Sequence, residues 1–248
     1  RKMRLSEAFR KLYLKEDGSF YRFGEIQKNQ EIADLLENIA EQGVDYFYKG
    51  KVAKQIVDLI NDRGGCFDVS DMESYEPKFR EPVKTTYRGY EVAAFAPPSG
   101  GCALVEMLNI LENYDVRSMG HNTAASIHAL TESMKLGFAD RSVALGDPDF
   151  VNVDVERLTS KKFAHERFTL AGEKAGEFAS ADGIEAKQYP GNTSHFVVMD
   201  KDGNAFSQTQ TIRDWFGCGI VVDGLGFVLN NAMLSLIHIS EPTRLLSI

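Results

Sequence analysis

The chain has 248 residues, a formal net charge of −8 at pH 7 and 43% hydrophobic residues. This length allows one large hydrophobic core or two small ones. The acidic balance, without a stripe of Lys and Arg, argues against nucleic-acid binding, and no apolar run is long enough to span a membrane.

Helical and extended patterns alternate through the first half of the chain. Apolar residues at helical spacing predict amphipathic helices over 29–42, ended by Gly43, and over 51–61, ended by a glycine pair. A short capped helix follows at 70–73. Alternating residues on both sides of Arg88-Gly89 predict a β-hairpin.

A turn at 97–101 precedes a predicted helix over about 102–113. We interpret its glycines as allowing close packing, because no Lys follows at the spacing of a phosphate-binding loop. The longest predicted helix covers 123–141. Small and polar residues over 172–191 indicate an exposed linker. Beyond it, short β runs separated by turns predict a β meander over 195–199, 205–212, 219–222 and 226–229.

The cysteines and histidines show no pattern of a metal or redox site. Cys66, Cys102 and Cys218 have neither metal-ligand spacing nor a C-x-x-C arrangement, so we expect buried or free thiols. His121 and His128 lack the Glu of an H-E-x-x-H motif. We therefore predict no metal and no cofactor, with a Cys218 nucleophile as an alternative to simple packing.

Thr193 lies between a Gly-Asn pair and a strongly β-patterned segment. A hydroxyl is a poor nucleophile near neutral pH and needs an adjacent base. If the Asn192–Thr193 peptide bond is cut, the new α-amino group of Thr193 lies beside its own Oγ and supplies that base. Local sequence alone also allows an ordinary turn before a strand.

Several motifs of the chain occur in the order typical of one enzyme family. The segment after Asn192 resembles the start of the small subunit of γ-glutamyltransferases (γ-glutamyltranspeptidases), which begins with the catalytic threonine. Upstream segments resemble that family's large subunit. The motifs are YFYKG (46–50), NDRGG (61–65), YRGYE (87–91), PPSGG (97–101), ADR (139–141), LGDPDF (145–150), TSHFVVMDKDGNA (193–205), TQTI (209–212), FGCGIVV (216–222) and GFVLNNAM (226–233).

The resemblance implies an α+β fold, the four-layer αββα sandwich of N-terminal-nucleophile hydrolases, here incomplete. Residues 1–192 would be the C-terminal part of the large subunit and 193–233 the start of the small subunit, the two pairing as a heterodimer. Residues 234–248 resemble a translated sequencing adapter and are expected to be a non-native tail. We expect the chain to be a fragment of a longer precursor.

The resemblance also implies an activity. Thr193 would attack the γ-carbonyl of a γ-glutamyl donor such as glutathione and pass the acyl group to water or to an amino-acid or peptide amine. Thr211 matches a threonine that orients the nucleophile. Asn231 and Arg213 match substrate-binding positions, although the family commonly has Asn at 213 and Gln or Glu in place of Ala232.

Because a guanidinium only donates hydrogen bonds and is always charged, Arg213 should favour a carboxylate over an ammonium. A glutaryl or cephalosporin acylase-like amidohydrolase is therefore one alternative function, and a non-catalytic scaffold is another. The family's oxyanion-hole residues would lie after Met233 and its carboxylate-binding arginine before Arg1, so we expect this fragment itself to be inactive. Family members are usually periplasmic or secreted, which is the expected location.

Overall fold

The computed structural model describes residues 6–181 and 192–232. The described residues divide into two compact units, one formed by residues up to Pro77 together with the segment from Asn192, the other starting at Lys78. Of the predicted linker, 172–181 forms no helix or strand. The rest of that linker and the predicted tail at 234–248 lie outside the described residues. The predicted division at 192/193 stays a prediction.

Three helices of the first unit begin after side chains that accept hydrogen bonds from free backbone N–H groups. Ser6, Asn29 and Asp68 cap α1 (Glu7–Tyr13), α2 (Gln30–Gln42) and α5 (Val69–Glu73) in this way. The helices predicted at 29–42, 51–61 and 70–73 are confirmed. The bounds are α1 Glu7–Tyr13, α2 Gln30–Gln42, α3 Asp45–Tyr48, α4 Gly50–Asp62 and α5 Val69–Glu73.

The core of this unit joins residues that are distant in sequence. Leu35 of α2 and Ile56 of α4 share one buried cluster with Val222. Phe9 of α1 is fully buried and contacts Phe216, with ring centroids 5.3 Å apart. Residues before and after Thr193 therefore pack together in two buried clusters of this unit.

The strands of the first unit form hairpins rather than the predicted meander. β3 (Asn192–Met199) pairs antiparallel with β4 (Ala205–Arg213), and β5 (Val221–Val222) pairs with β6 (Phe227–Val228). Within the described segments β4 and β5 belong to separate sheets. The backbone has positive φ at Arg213 (73°) and Phe216 (58°), which turns the chain out of β4 and ends the strand.

The β3–β4 hairpin exposes apolar side chains on both faces. Phe196 and Val198 lie on one face because strand side chains alternate, and Val197 and Met199 lie on the other; all four are exposed. Strands with apolar residues on both faces are typical of sheets covered on both sides. This is the pattern required by the strands of an αββα sandwich, and the α+β prediction is confirmed.

The second unit combines a hairpin with helices. The predicted hairpin and the helices after it are confirmed, with the longest helix extending three residues past the predicted end at Arg141. The bounds are β1 Val83–Tyr87, β2 Tyr90–Ala94, α6 Gly101–Leu111, α7 Val116–Met119, α8 Ala124–Ala144, α9 Val155–Thr159 and α10 Lys161–Phe168. None of the helices in the described part of the chain is long and apolar enough to cross a bilayer.

Gly101 allows α6 to start close to the end of the β1–β2 hairpin. A Cβ at this position would lie 1.9 Å from the Phe95 carbonyl oxygen, which no side chain could tolerate. The interpretation of the 97–101 turn as a close-packing device is therefore confirmed. α6 then buries Val105 and Ile110, which are fully buried.

A buried polar cluster links three helices of the second unit. Arg167 of α10 donates from Nε to Asp140 Oδ2 of α8 at 2.7 Å, and its Nη2 donates to the Ala179 carbonyl at 2.8 Å. Glu106 of α6 lies beside Asp140, and burial raises the pKa of its carboxyl to about 10, with further contributions from the hydrogen bond to Asp140 and from the Asp140 charge. Glu106 is therefore protonated at neutral pH.

Replacing Glu106 with Gln should make the stability of the protein less dependent on pH. A Glu in the unfolded chain has a pKa of about 4.3. Between that pH and about 10, the folded state therefore binds one proton more than the unfolded state, and the free energy of unfolding falls as pH rises. We expect Glu106→Gln to raise the melting temperature more at about pH 8 than at about pH 5. Thermal denaturation monitored by circular dichroism across this range measures the difference.

The matched control is Glu166→Gln, which removes an exposed carboxylate of α10. It should retain the wild-type pH dependence. Equal slopes of melting temperature against pH in wild type and Glu106→Gln would contradict a protonated Glu106.

Candidate functional site

Thr193 lies opposite an irregularity in the β3–β4 pairing. Asn192 pairs with Arg213 and Ser194 pairs with Gln210, so Thr193 alone on β3 faces Thr211 and Ile212 on β4. Two residues opposite one is the pattern of a β-bulge, which redirects side chains and is common beside active sites. Thr193 is exposed, so its hydroxyl can be reached from solvent.

Thr211 and Arg213 are coupled at the end of β4. The backbone N–H of Arg213 donates a hydrogen bond to Thr211 Oγ1 at 2.8 Å. Arg213 has a positive φ of 73° in this arrangement. The Arg213 side chain is only 12% exposed, and its Nη1 lies 3.7 Å from Asp214 Oδ1. The guanidinium is thus held close to the hairpin end that carries Thr193, with a carboxylate partly offsetting its charge.

Asn231 is brought to the same end of the hairpin by the chain that follows β6. Its backbone N–H donates to the Ile212 carbonyl at 3.2 Å. Its side chain bonds Asp214 twice, donating from Nδ2 to Oδ2 at 2.8 Å and accepting at Oδ1 from the Asp214 N–H at 3.1 Å. The structure therefore brings together the end of β4, the start of β3 and the segment around Asn231.

Gly217 makes this return of the chain possible. It has φ of 49°, and a Cβ there would lie 2.1 Å from the Leu229 carbonyl oxygen. The same carbonyl accepts the backbone N–H of Cys218 at 3.1 Å and lies 3.4 Å from its Sγ. Cys218 thus packs in the turn, as a thiol whose weak donor already has an acceptor.

The cysteine prediction is confirmed in the structure. Cys66, Cys102 and Cys218 are all free. Burial raises the pKa of the Cys102 thiol to about 11, so it is protonated and unreactive near neutral pH. Across the ranges that the structure describes, no three His, Cys, Asp or Glu side chains lie together as a metal site.

His195 is bonded to two hydroxyls across the hairpin. Its Nδ1 lies 2.7 Å from Thr209 Oγ1 and its Nε2 lies 3.2 Å from Ser207 Oγ. Because side chains alternate along a strand, His195 shares a face of β3 with Thr193. The opposite face carries aromatic residues, with Phe196 and Phe206 centroids 5.9 Å apart. Near Thr193, the face of the hairpin that carries His195 and Thr209 is therefore polar, whereas Phe196 and Phe206 lie on the opposite face.

Sequence reasoning missed Asp214 and His195. A polar Arg-Asp pair directly after a β run is a weak signal, since such pairs are common in turns. The signal for His195 was its position two residues after Thr193, which places both on one face of a strand. The contacts of Asp214 with Asn231 span 17 residues and have no local sequence pattern.

Comparison with known proteins identifies the family. The family model for gamma-glutamyltranspeptidase matches residues 1–245. The chain belongs to the γ-glutamyltranspeptidase family. It is 39% identical over 224 residues to the glutathione hydrolase proenzyme of Escherichia coli (strain K12), covering 88% of this chain and 38% of that protein.

Other relatives of this γ-glutamyltranspeptidase family member carry acylase names. The acylase ACY 1 proenzyme of Pseudomonas sp. (strain V22) is 40% identical over 219 residues, covering 87% of this chain and 38% of the relative. The crystal structure of cephalosporin acylase from Bacillus halodurans matches with a TM-score of 0.75 and 31% identity, over 87% of this chain and 38% of that one. The chain thus spans less than half the length of these relatives.

Removing the Asn231 side chain should loosen the end of the hairpin. Asn231→Ala breaks both bonds to the partly buried Asp214, and we expect a loss of about 1–3 kcal/mol in local stability. Trp215, the single tryptophan, is adjacent in sequence to Asp214, so its fluorescence during urea unfolding reports on this segment.

Asn230→Ala is the matched control for this prediction. Asn230 is exposed, and its Oδ1 accepts a hydrogen bond from the backbone N–H of Ala232, two residues along the chain. We expect its loss to stay within about 0.5 kcal/mol. Equal unfolding midpoints for both variants would show that the Asp214–Asn231 pair does not hold this end of the hairpin.

Proposed function

We propose that the chain is part of a self-cleaving γ-glutamyl acyltransferase or hydrolase that acts on glutathione-like γ-glutamyl compounds. The observation that carries the proposal is the position of Thr193, opposite the β4 bulge and at the hairpin end that also holds Thr211, Arg213 and Asn231. Membership of the γ-glutamyltranspeptidase family supports it. Relatives with proenzyme names support the self-cleavage step.

Cleavage and turnover use the same hydroxyl. In cleavage, Thr193 Oγ attacks the Asn192 carbonyl carbon, the peptide C–N bond breaks, and water hydrolyses the resulting ester. The freed α-amine of Thr193 then takes the proton as Oγ attacks the γ-carbonyl of a donor, the amide C–N bond of the donor breaks, and its amine leaves with that proton. The acyl-enzyme passes its acyl group to water or to the amine of an amino acid or peptide. Thr211 orients the nucleophile, and Arg213 and Asn231 bind the acyl chain.

The two pieces produced by cleavage stay together on this proposal. Val222 lies in one buried cluster with Leu35 and Ile56, and Phe216 packs on Phe9. Side chains from both sides of the Asn192–Thr193 bond therefore share a core that cutting this bond would leave in place. The proposed partners are a small-molecule γ-glutamyl donor, water or an amino-acid or peptide acceptor, and the companion subunit. The same proposal places the protein in the periplasm or outside the cell.

Thr193 variants of the full-length natural protein that contains residues 1–233 test the proposal. Thr193→Ala should run as one uncut band on a denaturing gel and show no release of p-nitroaniline from γ-glutamyl p-nitroanilide. Thr193→Ser keeps a hydroxyl and should still be cut, with N-terminal sequencing of the smaller piece starting at residue 193.

Ser194→Ala is the control, since this neighbouring hydroxyl lies on the opposite face of β3. It should be cut like wild type. A wild-type protein that stays uncut and inactive would favour the non-catalytic scaffold, and cutting at another bond would remove Thr193 from its role.

An acylase-like preference for glutaryl groups is the second candidate function. The observation that favours it is Arg213, a largely covered guanidinium at the hairpin end, together with a relative at 40% identity that carries an acylase name. A glutaryl group has a carboxylate but no α-ammonium, so it avoids charge repulsion with Arg213. Asp214, 3.7 Å from the guanidinium, is the group that could instead receive an ammonium.

Arg213→Asn should shift the preference of the enzyme toward γ-glutamyl donors. We expect the ratio of kcat/KM for γ-glutamyl over glutaryl p-nitroanilide to rise by about tenfold, which corresponds to about 1.4 kcal/mol of differential binding. Lys201→Gln removes an exposed cation from the turn at the other end of the hairpin and should leave the ratio unchanged. An unchanged ratio in Arg213→Asn would exclude Arg213 as a determinant of donor choice.

A further inference from the structure

The first cleavage of the chain lacks the base that later turnovers use. Before the Asn192–Thr193 bond is cut, the nitrogen of Thr193 is part of an amide, whose lone pair is delocalised and not basic. The Thr193 hydroxyl nevertheless has to lose its proton as it attacks the carbonyl. A basic side chain of the uncut chain near Thr193 can take up that proton more readily than water does.

His195 is the ionisable side chain placed to do so on the β3–β4 hairpin. It follows Thr193 by two residues, so their Cα atoms are about 6.6–6.8 Å apart and both side chains project from one face. One intervening hydroxyl or water can bridge such a separation. Thr209, whose Oγ1 lies 2.7 Å from His195 Nδ1, stands on β4 two residues before Thr211, which faces Thr193.

The hydroxyl contacts of His195 suit a neutral imidazole. A neutral ring has one N–H donor and one acceptor nitrogen, and hydroxyls can serve as either partner. Ser207 and Thr209 occupy the two nitrogens, at 3.2 Å and 2.7 Å, and hold the ring across the hairpin. The imidazole is thereby kept on the Thr193 face with an acceptor nitrogen in contact with a hydroxyl.

The other charged groups near this end of the hairpin are less suited. Arg213 is the second ionisable side chain of the two strands, and a guanidinium cannot accept a proton. Asp214 is hydrogen-bonded twice to Asn231, and its Oδ1 lies 3.7 Å from Arg213 Nη1. A carboxylate is intrinsically a weaker base than an imidazole.

We propose that His195 takes up the Thr193 proton, through an intervening hydroxyl or water, during self-cleavage of the uncut chain. The inference rests on the proposed function. As the Thr193 Oγ–C bond to Asn192 forms and the C–N bond breaks, the imidazolium returns the proton to the departing nitrogen, which becomes the α-amine. Because His195 acts through another group, it is a positioning residue, and the need for it ends once the α-amine is free.

The test compares the rate of self-cleavage with the rate of substrate turnover in the full-length natural protein that contains residues 1–233. His195→Ala should slow the appearance of the two cut pieces by at least about 10²-fold, the usual scale of acid–base assistance. Added imidazole should partly restore cutting. The fold-decrease in the rate of self-cleavage should be at least about ten times the fold-decrease in turnover per cut chain. Turnover is less affected because the α-amine of the cut chain is the base in that reaction.

His195→Gln separates proton transfer from support of the hairpin. An amide can hydrogen-bond to Ser207 and Thr209 but cannot take up a proton near neutral pH, so we expect slow cutting without recovery of the wild-type rate. Gln208→Ala, a change on the opposite face of the same hairpin, is the matched control and should be cut at the wild-type rate. Circular dichroism of the uncut variants against Thr193→Ala checks that each is folded.

The outcomes separate this inference from the proposed function. If wild type is cut and His195→Gln is cut equally fast, the inference is overturned while the proposed function stands. The same holds if Asp214→Asn slows cutting more than His195→Gln does and imidazole rescues neither. If wild type stays uncut under all conditions, both proposals fail together.

Discussion

The contacts at one end of the β3–β4 hairpin are the constraint on which the candidate site depends. The bulge opposite Thr193, the Thr211–Arg213 contact and the two hydrogen bonds between Asp214 and Asn231 join three separate stretches of chain. Each hydrogen bond contributes only about 1 kcal/mol, so the arrangement depends on all of them forming together. A nucleophile needs neighbours held at fixed distances, and these contacts supply them.

The turn that follows the β3–β4 hairpin packs on the hydrophobic core of its own unit. Phe216, in the turn after β4, packs on Phe9 and Tyr13 of α1, with centroid separations of 5.3 Å and 5.1 Å. The turn that carries Asp214 toward Asn231 is thus tied to a helix from the opposite side of the predicted cut. Packing of this kind explains how a cleaved chain could retain its site geometry.

Two opposite charges lie side by side at the candidate site. The Arg213 side chain is only 12% exposed, and its Nη1 lies 3.7 Å from Asp214 Oδ1. A guanidinium and a carboxylate side by side offer both a donor for a substrate carboxylate and an acceptor for an ammonium. The two proposed donor classes, γ-glutamyl and glutaryl, differ by that ammonium, so on the proposed function we expect donor choice to depend on which of the two charges the substrate contacts.

The sequence by itself determined most of the local structure and the identity of the nucleophile candidate. Helical spacing predicted α2 and α4, a capping pattern predicted α5, alternating residues predicted the hairpin around Arg88, and the chemistry of a threonine after Asn192 singled out Thr193. These features depend on residues that are close in the chain, which is why pattern reasoning finds them. The motifs in register added the family and its α+β fold.

Only the tertiary structure decided what depends on residues distant in sequence. The bulge that faces Thr193, the Asp214–Asn231 pair and the separation of the expected meander into hairpins follow from strand register and from positive φ at Arg213 and Phe216. The protonation of Glu106 likewise depends on burial against Asp140, a residue of another helix. Long-range pairing and desolvation have no local sequence signature, because they arise when separate segments meet and exclude water.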